Sequence, residues 1–322
     1  KILYMNIVDI IKSTKDFQML CEEIKKQNIS KSILLYSKDK FYADMFSKML
    51  AILLLNDGEF CENENYVKVM ANSHPDVKTY PQKDKLLVAD SEEIVMESYI
   101  KPIFSDKKIF IIRNIDNSME SAQNKLLKVL EEPPQNVYFI ITCFNPNLLL
   151  PTIKSRCNKI ELAKIDKNLI MEAIKDNDNK SLITAISDGH LGRAIELAKN
   201  NEINQIFELA LSIVTKMKSS KMVLSFSNKI NNFKDDLTLL IEIFCMILED
   251  MLFIKTERYD YLKFKEYRKD LEEVIDEYSV KAICEIQNNV NKALKEISYN
   301  GNIVLIIENL LLNILEVKYI CR

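Results

Sequence analysis

Glycine is nearly missing from this 322-residue chain, which has only Gly58, Gly189, Gly192 and Gly301. A loop that cradles phosphates needs glycines close together, so that backbone N–H groups can face the phosphates with no Cβ in the way. Neither G-x-x-x-x-G-K-[ST] nor G-x-G-x-x-G can be written from these four positions. Arginine is also scarce: Arg113, Arg156, Arg193, Arg258, Arg268 and Arg322 are the only six among 44 basic residues. Where lysine is the default cation, each arginine asks for a reason. The seven cysteines include no C-x-x-C pair and are odd in number. That fits a reducing, cytoplasmic setting and excludes a disulfide framework. No charge of one sign dominates. A net charge of −3 argues against tight nucleic-acid binding by this chain alone. Long apolar runs are lacking as well. The opening "KILYMNIVDIIKSTKDF" is too short in its apolar part for a signal peptide. "NIVLIIENLLLNILEV" (302–317) is interrupted by Glu308 and Asn309, and reads as a helix buried in its domain or against partner subunits, not as a membrane span. Lys1 is not an initiator methionine, so the natural start is left open.

What is present suits a globular protein of two or three domains, at 48% hydrophobic and 28% charged residues. Lysine, asparagine and isoleucine are abundant enough to suggest an AT-rich coding bias, so single lysines carry little information. "SILLYS" (Ser32–Ser37) reads as a short buried strand. The following helix carries Phe41, Met45, Met49, Leu50 and Leu53 at helical spacing. The turn between them runs through Lys38, Asp39 and Lys40, with no glycine and no Lys-Ser/Thr pair. "KKIFII" (107–112) and "NVYFIITCF" (136–144) read as further buried strands. Between them lies a helix that Asn117 can cap, with Glu120 as its capping-box partner. Met119, Ala122, Leu126, Leu127 and Leu130 line one face of it, and Pro133 ends it. Asn145-Pro146 opens another helix that leads through "NLLLPTIKSRC" to Arg156. Strands alternating with helices predict a doubly covered, mostly parallel sheet. After about Ala163 the pattern is helical to the end. Leu240, Ile243, Phe244, Ile247, Leu248 and Met251 form one wide apolar stripe.

"SAQNKLLKVLEEPPQNVYFIITCFNPNLLLPTIKSRC" resembles the AAA+ subunits of bacterial DNA polymerase III clamp loaders. "SHPDV" (73–77), "SDGHLGRAIELA" (187–198) and "NGNIVLIIENLLLNIL" (300–315) extend the match along nearly the whole chain. Within that family the delta-prime branch fits best, because Ser155-Arg156-Cys157 is intact. The resemblance implies an α/β AAA+ core (1–163), an all-α lid (164–204) and an all-α collar for oligomerisation (205–322). It also implies gamma/tau motor subunits and delta as partners, with the sliding clamp and primed DNA reached through the complex, and no membrane. Arg156, flanked by Ser155 and Cys157, would then face ATP held by a neighbouring subunit. Guanidinium suits that task, being always charged and able to bridge two phosphate oxygens. Taken alone, an arginine at a helix end is better explained by a local carboxylate partner.

Departures from the family bear on activity. The Walker A position is empty. The acidic pair expected after the 107–112 strand appears as Arg113-Asn114-Ile115-Asp116, a poor magnesium site. The lid arginine of active relatives would fall at Gly192, and Arg193 is one step off, about 100° around a helix. Relatives carry a four-cysteine zinc module before "HPD", of which only Cys61 remains. His74 is expected to order the turn before Pro75, and Cys157 to be a small packed core residue. No cofactor or metal of its own is expected. The leading expectation is a clamp loader subunit without ATPase activity, acting through its interfaces. The alternatives are a diverged but active ATPase, a delta-type clamp-opening subunit, and an independent single-strand binder.

Overall fold

The computed structural model describes residues 2–299 and 302–320; Lys1, Asn300, Gly301, Cys321 and Arg322 lie outside it. The chain divides into two compact units. One comprises residues up to Lys175 together with Gly189–Ile195, the other Asp176–Asp188 together with the residues from Glu196 on. The segment expected as a lid, 164–204, is therefore shared between them.

The first unit holds a five-stranded sheet of β1 (Ser32–Tyr36), β2 (Val77–Tyr80), β3 (Lys108–Ile112), β4 (Val137–Cys143) and β5 (Asn158–Glu161). The strand order is β2-β3-β4-β1-β5, and every pairing is parallel. Two helices, α1 (Ile2–Ser13) and α2 (Lys15–Lys25), precede β1; the parallel strands are then joined by crossovers through α3 (Lys40–Leu55), α4 (Glu64–Met70), α5 (Val88–Ser98), α6 (Glu120–Glu131) and α7 (Pro151–Lys154), with α8 (Lys167–Ala173) after the last strand. β3 is buried at all five positions, as a strand covered on both faces must be. Phe110 and Phe139 lie opposite each other in the β3–β4 register and stack with centroids 5.4 Å apart. Leu34, Leu126, Leu130 and Ile141 close around them. The second unit is helical throughout its described residues: α9 (Lys180–Ser187), α11 (Ile203–Lys216), α12 (Val223–Asn231), α13 (Leu237–Lys255), α14 (Arg268–Glu272), α15 (Val280–Ser298) and α16 (Ile303–Ile320), with 3₁₀ turns between; α10 (Leu191–Leu197) begins in the first unit. The apolar stripe of α13 is buried as its spacing requires. No helix among the described residues is long and apolar enough to cross a membrane.

Three local expectations need correction. Asn117 does not cap α6: it closes a 3₁₀ turn (Ile115–Asn117), and the helix starts after Met119. The N–H of Ala122 finds the Met119 carbonyl instead, so no side-chain cap is used. Met119 itself is exposed, while Ala122, Leu126 and Leu130 are buried. The single helix expected over "NLLLPTIKSRC" is two pieces. Asn145 caps only a 3₁₀ turn, Pro146–Leu148, and α7 starts afresh at Pro151. Pro151 keeps Leu150 extended, at ψ 133°, which breaks any continuous helix.

The stretch before β2 is tied together by side-chain amides. Asn56 Oδ1 accepts from Asn63 Nδ2 (3.0 Å) and Asn65 Nδ2 (2.9 Å). Asn65 Oδ1 lies 3.3 Å from His74 Nε2, and the Asp76 N–H donates to His74 Nδ1 at 3.1 Å. His74 thus orders the turn at Pro75 as a neutral ring. Asp76 in turn accepts from the N–H groups of Ile103, Phe104 and Ser105. Burial, aided by the charge of Lys68, holds the His74 pKa below its ordinary 6.5. The folded chain therefore refuses a proton that the unfolded chain accepts, and stability is lost as pH falls through 6.5. Urea midpoints of the wild type are expected to drop between about pH 7.5 and 5.5. His74→Asn should flatten that drop. An unchanged slope in the variant would remove His74 as the cause.

Candidate functional site

All five strands are parallel, so their C-terminal ends share one edge of the sheet, the edge where α/β proteins place ligands. At β1 this edge is the turn Ser37-Lys38-Asp39. The Asp39 N–H donates to Ser37 Oγ (3.0 Å), and the Asp39 side chain caps α3 by accepting from the Tyr42 N–H at 3.0 Å. Its second oxygen accepts from the Gly192 N–H at 2.8 Å. Asp39 is 7% exposed. An intrinsic carboxylate therefore lies at the helix N-terminus, where a phosphate would otherwise be attracted. Beside it opens a cleft of about 410 Å³ lined by Tyr36, Lys38, Tyr42, Glu161, Lys164 and His190.

Gly192 has a steric reason to be glycine. A Cβ there would lie 2.6 Å from Asp39 Oδ1 and 2.6 Å from Phe41 Cβ. No arginine can stand at that position while α10 starts where it does.

The ends of β3 and β4 are equally committed. Arg113 Nη2 donates to the Pro81 carbonyl (3.0 Å), and Nη1 lies 3.9 Å from Asp44 on α3. Asn114 adopts φ 51°, a left-handed conformation that asparagine tolerates, and its N–H donates to Thr142 Oγ1 (2.9 Å). Asp116 is buried, and its two oxygens accept from the N–H groups of Phe144 (3.1 Å) and Asn145 (2.9 Å). This carboxylate ties the end of β4 to the turn after β3. A single buried carboxylate, held on both oxygens by backbone N–H groups and with Arg113 three residues before it, makes a poor magnesium site. The residues present therefore do not fit a magnesium nucleotide. They do not fit a four-ligand zinc either: Cys61 Sγ meets the Asn56 amide at 3.5 Å, and His74 Nδ1 is occupied. Among the described residues no group of three or more potential ligands stands together.

Arg156 lies elsewhere, after α7. Its Nε donates to Glu131 Oε2 at 2.7 Å, Nη2 approaches the same oxygen at 2.7 Å, and Nη1 donates to the Thr152 carbonyl at 3.1 Å. The local carboxylate partner weighed from the sequence thus exists. Glu131 ends α6, so the "LEEPP" and "SRC" stretches, 25 residues apart, meet through this pair. Both partners reach solvent, with side-chain exposures of 28% for Arg156 and 56% for Glu131. The Ser155 hydroxyl turns back to the Thr152 carbonyl (3.1 Å). Cys157 points into the sheet core, where burial pushes its thiol up to about 12 and leaves it inert. Of the three motif residues, only Arg156 offers a charge at the surface. Sequence reasoning missed Asp39 and Glu131. The signal for Asp39 was an acidic N-cap directly before the α3 pattern; Glu131 had none.

Residues 12–166 match the family described as DNA polymerase III, delta subunit. Over 160 residues the chain is 31% identical to the DNA polymerase III subunit delta′ of Buchnera aphidicola (Schizaphis graminum strain), covering 49% of each chain. Over 194 residues it is 27% identical to subunit delta′ of Bacillus subtilis, covering 58% of this chain and 59% of that one. The chain thus spans about half the length of the curated relatives it matches. In fold it is similar to a DNA polymerase III gamma-subunit-related protein of Thermotoga maritima, at TM-score 0.50 and 20% identity, covering 94% of this chain and all of that one. The fold is an α/β AAA+ core followed by helical segments. Over residues 12–166, just under half of its length, the chain is thus similar to the DNA polymerase III delta-subunit family, and the two relatives named above are delta-prime subunits.

Proposed function

We propose that this chain is a non-catalytic clamp loader subunit that offers Arg156 to ATP held by a neighbouring subunit. Its partners would be the gamma/tau motor subunits and delta, and through the complex the sliding clamp and primed DNA, in the cytoplasm. The observation that carries the reading is a contrast. The chain's own phosphate position is filled by Asp39, while Arg156 waits at the surface on one exposed carboxylate. An exposed ion pair contributes about 0–1 kcal/mol, so leaving Glu131 costs little. A desolvated guanidinium bridging phosphate oxygens gains more, and an arginine supplied in trans accelerates well-studied GTPases by roughly 10³–10⁵. Removing ATP chemistry from this subunit leaves its interfaces as its contribution.

α16 supports assembly. Its apolar character is not fully used inside the chain: Leu305 is 56% and Leu312 44% exposed, and Tyr319 follows seven residues later on the same side. Within the chain this helix buries one face, through Ile307, Leu311 and Ile314, so of the two settings expected for it the domain covers that face alone. The open stripe suits a collar contact between unlike subunits.

Two outcomes are expected. In a loader reconstituted from motor subunits, delta and this chain, Arg156→Ala should assemble yet lose most DNA- and clamp-stimulated ATP turnover. Glu131→Gln should retain it, since Glu131 only parks the guanidinium. Normal turnover by an assembled Arg156→Ala loader would refute the trans role. Separately, Leu305→Asp with Leu312→Asp should weaken assembly in sedimentation runs. The isolated chain should change in stability by only about 1 kcal/mol for the two substitutions together, because both side chains are largely solvent-facing.

A further inference from the structure

We infer that Asp39 is a built-in latch: its carboxylate takes the place of a bound anion and holds the Gly189–Ile195 segment on the β1–α3 turn with no ligand. α3 is 16 residues long, so its first turn presents orphan N–H groups and the positive end of a full helix dipole. Asp39 answers both with one oxygen on the Tyr42 N–H. The other oxygen reaches 153 residues along the chain to the Gly192 N–H. Two segments distant in sequence thus share one buried carboxylate.

The segment is fastened at its other end too. The Ile165 N–H donates to the Gly189 carbonyl at 3.0 Å, and Gly189 adopts φ +84°, where a side chain would be strained. Gly192 permits the approach because it has no Cβ to strike Asp39 or Phe41. Nucleotide phosphates entering this place would have to break the bonds to Tyr42 and Gly192 and lie against a like charge. Closure of this segment is therefore independent of nucleotide. The inference goes beyond the loader reading and does not depend on it, since the turnover assay can fail while the latch holds.

Amide hydrogen exchange on the full chain tests it. In the wild type, the 189–195 amides should be protected equally with and without magnesium ATP. Asn at position 39 keeps one acceptor but turns an NH₂ toward the second donor. Asp39→Asn should therefore speed exchange in 189–195 by about tenfold, as expected for loss of a charge-assisted bond, while the β3 amides stay protected. Gly192→Ala should open the same amides by steric displacement, and the double variant should add little further. The latch is refuted if both single variants leave 189–195 unchanged, if acceleration spreads equally over β3, or if ATP slows exchange in the wild type.

Discussion

A carboxylate at the N-terminus of α3 sets the character of this subunit. The strand–turn–helix scaffold of a phosphate site is intact: β1 lies mid-sheet, α3 follows, and the turn opens at the ligand-binding edge. What the turn contains inverts its use. Asp39 supplies a negative charge where the helix end favours one, so the scaffold is satisfied by its own chain. Gly192 follows from this, because only glycine fits against Asp39 and Phe41. Asp116 follows the same logic on the neighbouring strands, spending both oxygens on backbone N–H groups. Groups that could have served chemistry instead hold loops.

Much of this fold was legible in the residues, and the gaps have physical causes. β1, β3 and β4 were visible because strands buried on both faces must be apolar runs. β2 and β5 were not, since each is four residues at a sheet edge, and β5 buries only Ile160. The count of glycines ruled out a phosphate-cradling loop without any structure. It could not reveal that a carboxylate fills the space, because that depends on Gly192 coming close to Asp39 across 153 residues. The helix broken at Pro151 was misjudged because Asn145-Pro146 is an equally good start for a 3₁₀ turn.

Arg156 shows how a rare residue type can be read from both directions. The sequence motif points to a trans role, and the single chain shows an ion pair with Glu131. These are compatible, because a weak surface pair keeps a long side chain ordered without binding it tightly. Cys157, the next residue, is anchored in the core, so the backbone at Arg156 has a firm base. The same division appears in α16, where Ile307, Leu311 and Ile314 bury one face and Leu305 and Leu312 leave another open.

The central claim is that the phosphate position is already taken by the chain itself. Calorimetric titration of the isolated chain with magnesium ATP tests it most directly. The account predicts no saturable heat up to about 1 mM nucleotide, a binding free energy weaker than about −4 kcal/mol. Saturable binding at micromolar concentration would contradict it and return this chain to the nucleotide-binding subunits.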